Sequence, residues 1–233
     1  MHIRVGLIAA TLTAAVLAGC SVVREARMAL PPAVARDGDA LPLTGMGIGR
    51  SGDFRLAEAP GRFTRSADRL NIAGSTFIGR TGASSFALAG GLAGDCRYRE
   101  SELNAGVISL KSDRLALRCR FSRDGRPLAA ELLIDADEGA FGRLDGGARR
   151  IGLSWYDGAE ITVRSVHRDR AGGLPTPTPL GYVFEIDGAG IGAVETNGPD
   201  RVVHLPRDAR YREAVVAGAL AIATFWDPAQ VHD

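Results

Sequence analysis

The sequence predicts a mainly β protein, an antiparallel barrel-like sheet with one buried hydrophobic C-terminal helix. Three observations support this fold class. Short segments alternate apolar and polar residues, which is the period of half-buried strands. Three Asp-Gly pairs separate such segments, and Asp-Gly supplies the positive φ angles that a tight hairpin turn requires. Finally, only Gly218 and Thr224 interrupt the hydrophobic side chains of Ala214–Trp226.

The alternating segments are the predicted strands. Before the hairpins they are Phe54–Glu58, Gly61–Arg65, Arg69–Ala73 and Ser85–Leu88. The Asp-Gly turns join Leu115–Phe121 to Leu128–Ile134, Arg150–Trp155 to Glu160–His167, and Leu180–Ile186 to Ile191–Glu195. The proline-rich segment Ala171–Pro179 cannot join a ladder and is interpreted as an extended connector.

The C-terminal apolar run predicts a helix over about 208–226. Pro206 suits a first helical turn, and Asp227-Pro228 ends the run. The run is apolar on every side, so the helix must be surrounded by protein. A helix of this length spans about 20 Å, less than the hydrocarbon core of a bilayer. We therefore expect a helix enclosed by the sheet; a buried strand rich in Val and Ile is the alternative.

The N-terminus has the features of a secretory signal. Arg4 precedes the apolar stretch Val5–Ala18, which is shorter than the ~20 residues that a membrane-spanning helix needs. The stretch ends in Leu17-Ala18-Gly19-Cys20, where small residues precede a cysteine. An ordinary signal peptide with a chance cysteine is the alternative interpretation.

These residues resemble the lipobox of bacterial lipoproteins. The resemblance implies that residues 1–19 are removed and that the Cys20 thiol carries a lipid, with palmitate among its expected acyl chains. Ser21 implies sorting to the outer membrane, facing the periplasm. The sequence then predicts a flexible tether over 20–44, because prolines and glycines interrupt any periodicity there. A single β domain is predicted over 45–233.

Cys96 and Cys119 are the two cysteines that remain once Cys20 is lipidated. An even pair in an oxidising compartment favours a disulfide, worth about 3–4 kcal/mol on the chain-entropy model. Two free buried thiols or a metal pair are the alternatives, but no histidine lies near either cysteine in the sequence to complete a zinc site.

The C-terminal part is also similar to the tubby C-terminal-like fold, shared by tubby proteins, phospholipid scramblases and LURP-one-related proteins. The similar stretch comprises Gly181–Gly188, Ile191–Glu195, Val202–Leu205 and the apolar helix. The resemblance implies a barrel filled by that helix and, as in some relatives, binding to lipid or a membrane surface. No lysine and arginine set for phosphoinositides can be mapped onto this sequence.

Candidate catalytic residues are few. His167 is a candidate general base with Asp169, which shares its strand face. However, no nucleophile is marked, since Gly152–Tyr156 lacks the second glycine of a nucleophile elbow. His204 stands alone, and His232 lies at the C-terminus. The sequence predicts no metal site and no cofactor.

Two further motifs resemble ligand loops only superficially. Asp135–Gly139 lacks the downstream glutamate of a calcium loop and is interpreted as a solvated turn. Gly45–Gly52 has no strand before it and no helix after it, so its glycines cannot aim a helix N-terminus at phosphate. We interpret it as a flexible entry to the domain. Six aromatic side chains are interpreted as core or hairpin-pair positions: Trp155, Tyr156, Tyr182, Phe184, Phe225 and Trp226.

The charge balance excludes a general affinity for nucleic acid, because 28 basic side chains face 27 acidic ones. The leading functional hypothesis is a non-enzymatic envelope lipoprotein that binds a lipid or an envelope protein, or has a structural role. The rival hypothesis is an envelope hydrolase that uses His167 and nearby acidic residues.

Overall fold

The computed structural model describes residues 25–71, 77–105, 108–136, 149–198 and 200–226. The described part contains two helices, α1 (Pro32–Asp37) and α2 (Ala209–Thr224). Its strands are β1 (Asp39–Thr44), β2 (Ser51–Leu56), β3 (Ala59–Asn71), β4 (Phe77–Leu88), β5 (Leu92–Ala105), β6 (Ile108–Arg123), β7 (Arg126–Ala136), β8 (Arg150–Tyr156), β9 (Ala159–Val166), β10 (Gly181–Ile186), β11 (Ala189–Glu195) and β12 (Arg201–Leu205).

The strands form a closed antiparallel barrel. From β2 to β12 each strand pairs with the next one along the chain, and β1 closes the ring by pairing with both β2 and β12. Leu43 of β1 lies opposite Leu56 on one side and Arg201 on the other. The predicted fold class is therefore confirmed. Where the sequence suggested two strands at 61–65 and 69–73, β3 runs without a break from Ala59 to Asn71.

Helix α2 fills the barrel. Its residues from Ala214 to Thr224 are buried except Val216, and they pack with inward side chains of the strands. The close fit explains Gly218, since a Cβ there would lie 2.6 Å from the Phe184 ring. The helix begins at the N-cap Asp208, whose carboxylate accepts a hydrogen bond from the Arg210 amide at 3.0 Å. Within the described residues, neither helix is long and apolar enough to cross a membrane.

The two ends of the barrel differ in how the chain reverses. One end, here called the tight-turn end, holds the short turns and the start of α2. The other, the long-loop end, holds the segments 45–50, 167–180 and 196–200 and the end of α2. Strands β3 to β6 also extend past the rim at this end: β2 begins opposite Thr64, whereas β3 continues to Asn71.

The tight turns confirm the predicted hairpins. In the turn Asp124-Gly125 the φ angles are 48° and 76°, as a type I′ turn requires, and the other two Asp-Gly turns match it. A further turn was not predicted. It lies at Ala57-Glu58, where Ala57 has a φ of 49°. The sequence suggested strand through this position, because neither residue is typical of a reverse turn.

The prediction of a flexible tether up to residue 44 is wrong for the part that the structure describes. Residues 39–44 form β1 of the barrel. Before it, residues 25–37 run along the outside of β9, β10 and β11, where Met28 and Val34 pack against Val183 and Ala193. The sequence did not predict this packing, because prolines and glycines interrupt the segment and its few apolar side chains follow no regular period. The domain thus begins at or before Glu25, not at 45.

The two cysteines pair as the sequence predicted. Cys96 on β5 lies directly opposite Cys119 on β6, and the two form a disulfide. Both side chains point into the core of the barrel.

Candidate functional site

The polar side chains buried inside the barrel concentrate towards the long-loop end. They share inward positions on their strands or lie at the end of the central helix. Arg65, Ser84, Ser165, His167 and Thr224 are buried, and Arg201 is partly buried. Because buried charge is costly without partners, this end of the barrel is the part of the described chain that calls for a functional explanation.

Arg65 is an enclosed charge of this group. It follows Phe63 by two residues on β3, so its side chain points inward, and it is only 4% exposed. The guanidinium carbon lies 4.9 Å from the centre of the Phe63 ring and 4.6 Å from that of the Trp226 ring. Both distances fit cation–π contacts. Two aromatic side chains thus stabilise one buried arginine.

The glycine-rich segment folds over Arg65. Arg65 Nε donates a hydrogen bond to the Gly49 carbonyl at 2.8 Å, and its terminal nitrogen donates to the Gly47 carbonyl. Gly45 allows the sharp reversal with a φ of 84°, and a Cβ there would meet the Asp53 carbonyl at 2.5 Å. The interpretation as a flexible entry is therefore wrong: this segment turns carbonyl oxygens, rather than amides, towards a cation.

Arg201 lies beside Arg65 at the end of the central helix. It occupies an inward position on β12, in phase with Val203 and Leu205, and donates a hydrogen bond to the Ala223 carbonyl near the C-terminus of α2. A cation is favoured there by the helix dipole. Its Nε atom is buried and has no hydrogen-bond partner.

Arg65 and Arg201, the arginine pair, place two positive charges close together. Burial and the positive charge of Arg201 lower the pKa of Arg65 to about 10, and burial also lowers the pKa of Arg201. Their recorded acceptors are backbone carbonyls, and neither forms an ion pair with a carboxylate of the described residues. Next to Arg65, the hydroxyl of Ser84 is also buried and without a partner. The arrangement suits an oxyanion.

A second charged group holds the N-terminal segment to the outside of the barrel. Glu195, 4% exposed, accepts a hydrogen bond from His204 Nε2 at 3.0 Å and lies 3.4 Å from Arg170 and 3.8 Å from Arg27. Burial by itself would raise the pKa of Glu195, but the hydrogen bond and the three positive partners outweigh it and lower that pKa. We call these four residues the Glu195 cluster. His204, which stood alone in the sequence, has a structural partner.

His167 contacts a hydroxyl but not the predicted carboxylate. Its Nδ1 donates to the Thr176 carbonyl at 2.8 Å, and its Nε2 lies at hydrogen-bond distance, 3.1 Å, from Ser165 Oγ. Asp169 instead accepts from the Ala171 amide at 2.9 Å. The proposed His167–Asp169 pairing is therefore wrong. His167 is 6% exposed and Ser165 8%, so the histidine ties the proline-rich segment to β9.

The remaining predicted residues divide into two groups. Tyr182, Phe184 and Phe225 are in the core as predicted, whereas Trp155 and Tyr156 are only partly buried and Trp226 is partly exposed over Arg65. Cys20, the signal segment, His232 and most of the acidic segment after Asp135 lie outside the described residues. Among the described residues there is no group of three His, Cys, Asp or Glu that could hold a metal ion.

Neither arginine was predicted as a site residue: Arg65 was only the last residue of the predicted strand Gly61–Arg65, and Arg201 lay just outside the stretch Val202–Leu205. The signal was the phase of the alternation. Arg65 shares its phase with Phe63, and Arg201 shares its phase with Val203 and Leu205. An arginine on the apolar phase of a strand points into the core.

No family model matches the chain, and neither the curated proteins nor the solved structures contain a match.

Proposed function

We propose that this protein is an envelope lipoprotein, anchored through a lipid on Cys20 in the outer membrane and facing the periplasm. Its barrel acts by binding and not by catalysis, and its ligand presents an anionic group to the arginine pair. A lipid headgroup and an envelope protein both offer such groups, phosphate in one case and carboxylate in the other.

The observation that carries the binding proposal is that the arginine pair has no carboxylate partner among the described residues. Arginine guanidinium groups bind phosphate and carboxylate through forked hydrogen bonds. Arg201 Nε is a buried donor without an acceptor, and leaving such a donor unsatisfied costs about 1–3 kcal/mol. An oxyanion that reaches this atom offsets that cost and reduces the repulsion between the two arginines.

The anion proposal is tested with inorganic phosphate on the unlipidated domain. We expect phosphate to raise the melting temperature in a saturable way, since a ligand at about 100 times its Kd adds about 2.7 kcal/mol to stability. Arg201→Met and Arg65→Lys should abolish this dependence, and Arg207→Met, an exposed arginine at the tight-turn end, should retain it. Equal responses in all four proteins would show a general salt effect and refute the proposal.

Anchoring is tested separately. The Cys20→Ser protein should move from the membrane fraction to the soluble envelope fraction, and the mass of the mature wild-type N-terminus should include a diacylglycerol. A Cys20→Ser protein that still sediments with membranes contradicts the anchoring proposal. Affinity capture of the lipidated protein, with lipids and proteins identified by mass spectrometry, then identifies the ligand.

The hydrolase alternative now depends on the contact between Ser165 and His167. A serine hydroxyl beside a histidine that is oriented by a carbonyl has the geometry of an activated nucleophile. Ser165 Oγ also accepts a hydrogen bond from the Arg150 amide at 2.8 Å, so the backbone engages the hydroxyl that an activated nucleophile would have to present to a substrate. A fluorophosphonate probe should therefore leave Ser165 unmodified. Covalent labelling that disappears in Ser165→Ala would favour the hydrolase.

A further inference from the structure

The path of the N-terminal segment places its first described residues at the long-loop end. The Arg27 carbonyl accepts a hydrogen bond from the Arg170 amide at 2.7 Å, and the Ala29 amide donates to the Arg168 carbonyl at 2.8 Å. Asn197 donates to the Ala26 carbonyl at 2.9 Å. The chain then runs along the outside of the barrel towards the tight-turn end and enters β1 there. It therefore emerges from the domain at the long-loop end.

The position of Cys20 limits how far this end lies from the membrane. Four residues lie between Cys20 and Glu25, so five steps along the chain join them. At no more than about 3.6 Å per step, these steps reach about 18 Å. This is less than the span of a tether over residues 20–44, so a lipid on Cys20 would keep the long-loop end close to the bilayer.

The exposed apolar side chains lie at the same end. Among the described side chains, the large hydrophobic residues that are exposed are Ile48 at 96%, Leu174 at 91% and Ile151 at 43%. Ile48 and Leu174 lie in the segments 45–50 and 167–180, and Ile151 is the second residue of β8. Among the described residues these exposed apolar side chains lie towards one end of the barrel and none lies at the other, which indicates an interaction surface at the long-loop end.

The charges nearby suit the surface of a lipid membrane. Arg50 follows Ile48 by two residues, and Arg168 lies in the same segment as Leu174; both are exposed. Apolar side chains flanked by arginine are typical of groups that enter the boundary between headgroups and acyl chains. At the opposite end the exposed side chains include Arg55, Glu58 and Arg207, which favour water.

We propose that the long-loop end faces the membrane and that Ile48 and Leu174 contact its lipid surface. This inference rests on the proposed anchoring at Cys20. It also gives the arginine pair a location, because Arg65 and Arg201 lie at the end that the anchor holds near the headgroups. The strands β3 to β6 that extend past the rim lie across the barrel from β10 and β11, where the N-terminal segment packs. These longer strands keep their side of the rim farther from the bilayer, so we expect the barrel axis to tilt and bring the side of β10 and β11 closer to the lipid.

The orientation is tested with the full lipidated protein in vesicles of phosphatidylethanolamine and phosphatidylglycerol. With Cys20 lipidated and the other two cysteines bonded, a new cysteine is the only free thiol. Gly47→Cys and Glu58→Cys place a donor dye at exposed sites of the long-loop and tight-turn ends. An acceptor dye is carried on lipid headgroups. We expect severalfold more energy transfer from residue 47 than from residue 58. Equal or reversed transfer would overturn the inference.

The apolar contact is tested in the same vesicles. Ile48→Asp combined with Leu174→Asp should lower the transfer from residue 47 towards that from residue 58, since charged side chains leave the lipid. Ala89→Asp, an exposed change at the tight-turn end, should leave the transfer unaltered. An unaltered value for the double variant would refute the contact. Failure of the wild-type protein to join vesicles would instead refute the lipid at Cys20, so the two proposals fail in different ways.

Discussion

The tight-turn end and the long-loop end of this barrel are built from different kinds of residue. At the tight-turn end the chain reverses within two residues at Asp124-Gly125, and exposed side chains such as Glu58 are charged. At the long-loop end longer segments cover buried charge, as Gly47 covers Arg65, and exposed side chains such as Ile48 are apolar. The first end follows the rules of a stable fold. The second departs from them, and such departures are expected at functional sites.

The largest expected loss of stability comes from the disulfide in the barrel wall between the two ends. Replacing Cys96 and Cys119 together by alanine should lower the free energy of unfolding by about 3 kcal/mol, since a loop of this length is released in the unfolded chain. Urea unfolding of the wild-type and double-variant proteins measures the difference. If the disulfide also aligns the strands that extend past the long-loop rim, phosphate binding should weaken as well; unchanged binding would confine its role to stability.

The next effect concerns the helix that connects the ends. Gly218→Ala should destabilise by about 1–2 kcal/mol, because crowding against Phe184 exceeds the helix propensity that alanine gains. Thermal and urea unfolding measure the loss. Phe184→Leu provides the control: if crowding is the cause, adding Gly218→Ala to Phe184→Leu should cost less than adding it to the wild type. Equal costs would contradict the packing argument.

A matched pair of glycines compares the two ends directly. Gly125 and Gly47 both have open space where a Cβ would stand, but only Gly125 has a positive φ, at 76°. Gly125→Ala should therefore lower the free energy of unfolding by about 1 kcal/mol through backbone strain. Gly47→Ala should leave the free energy of unfolding nearly unchanged or raise it by a few tenths of a kcal/mol. Urea midpoints measure both. If Gly47→Ala were as destabilising as Gly125→Ala, the proposal that only the tight-turn glycine is required for its backbone conformation would be wrong.

The smallest effect is a dependence on acid at the long-loop end. The pKa of Glu195 is lowered in the folded protein below its ordinary value of 4.5. Its ion pairs therefore stabilise the protein above that pH, and the contribution is lost as the pH falls through the lowered pKa. Glu195→Gln should flatten this acid limb of the stability curve, whereas Glu58→Gln, at a fully exposed side chain, should leave it unchanged. The same limb in all three proteins would exclude Glu195 as its origin.

Much of the fold could be predicted from local patterns. Three predictions of this kind are confirmed: the Asp-Gly hairpins, the helix that ends in Thr224 and the disulfide between Cys96 and Cys119. The first two depend on residues that are neighbours in the sequence, and the third depends on the even number of cysteines that remain besides Cys20. The turn at Ala57-Glu58 was missed, since tertiary pairing of β2 with β3 imposes a conformation that alanine does not prefer.

The candidate site could not be predicted in the same way. His167 was a candidate general base because Asp169 shares its strand face. In the structure Asp169 instead accepts a hydrogen bond from the Ala171 amide in a local turn, and His167 contacts Ser165. The arginine pair combines β3 with β12, which 130 or more residues separate along the chain. No spacing in the sequence predicts such a contact, although the alternation of apolar residues does predict that each arginine side chain points inward.

The antiparallel sheet and the enclosed helix were predictable because turn chemistry and hydrophobic periodicity act over a few residues, and the disulfide was predictable because two cysteines remain besides Cys20. The lipobox-like cysteine is likewise a feature of the sequence. By contrast, the folded structure was needed to show that residues 25–44 belong to the domain and that this segment begins at the same end of the barrel as the arginine pair. These facts arise from closing the barrel, which brings β1 against β12 and wraps the preceding segment over β10 and β11. Barrel closure thus makes residues 25–44 part of the domain instead of a tether, and it places the buried charges at the end of the barrel where this segment begins.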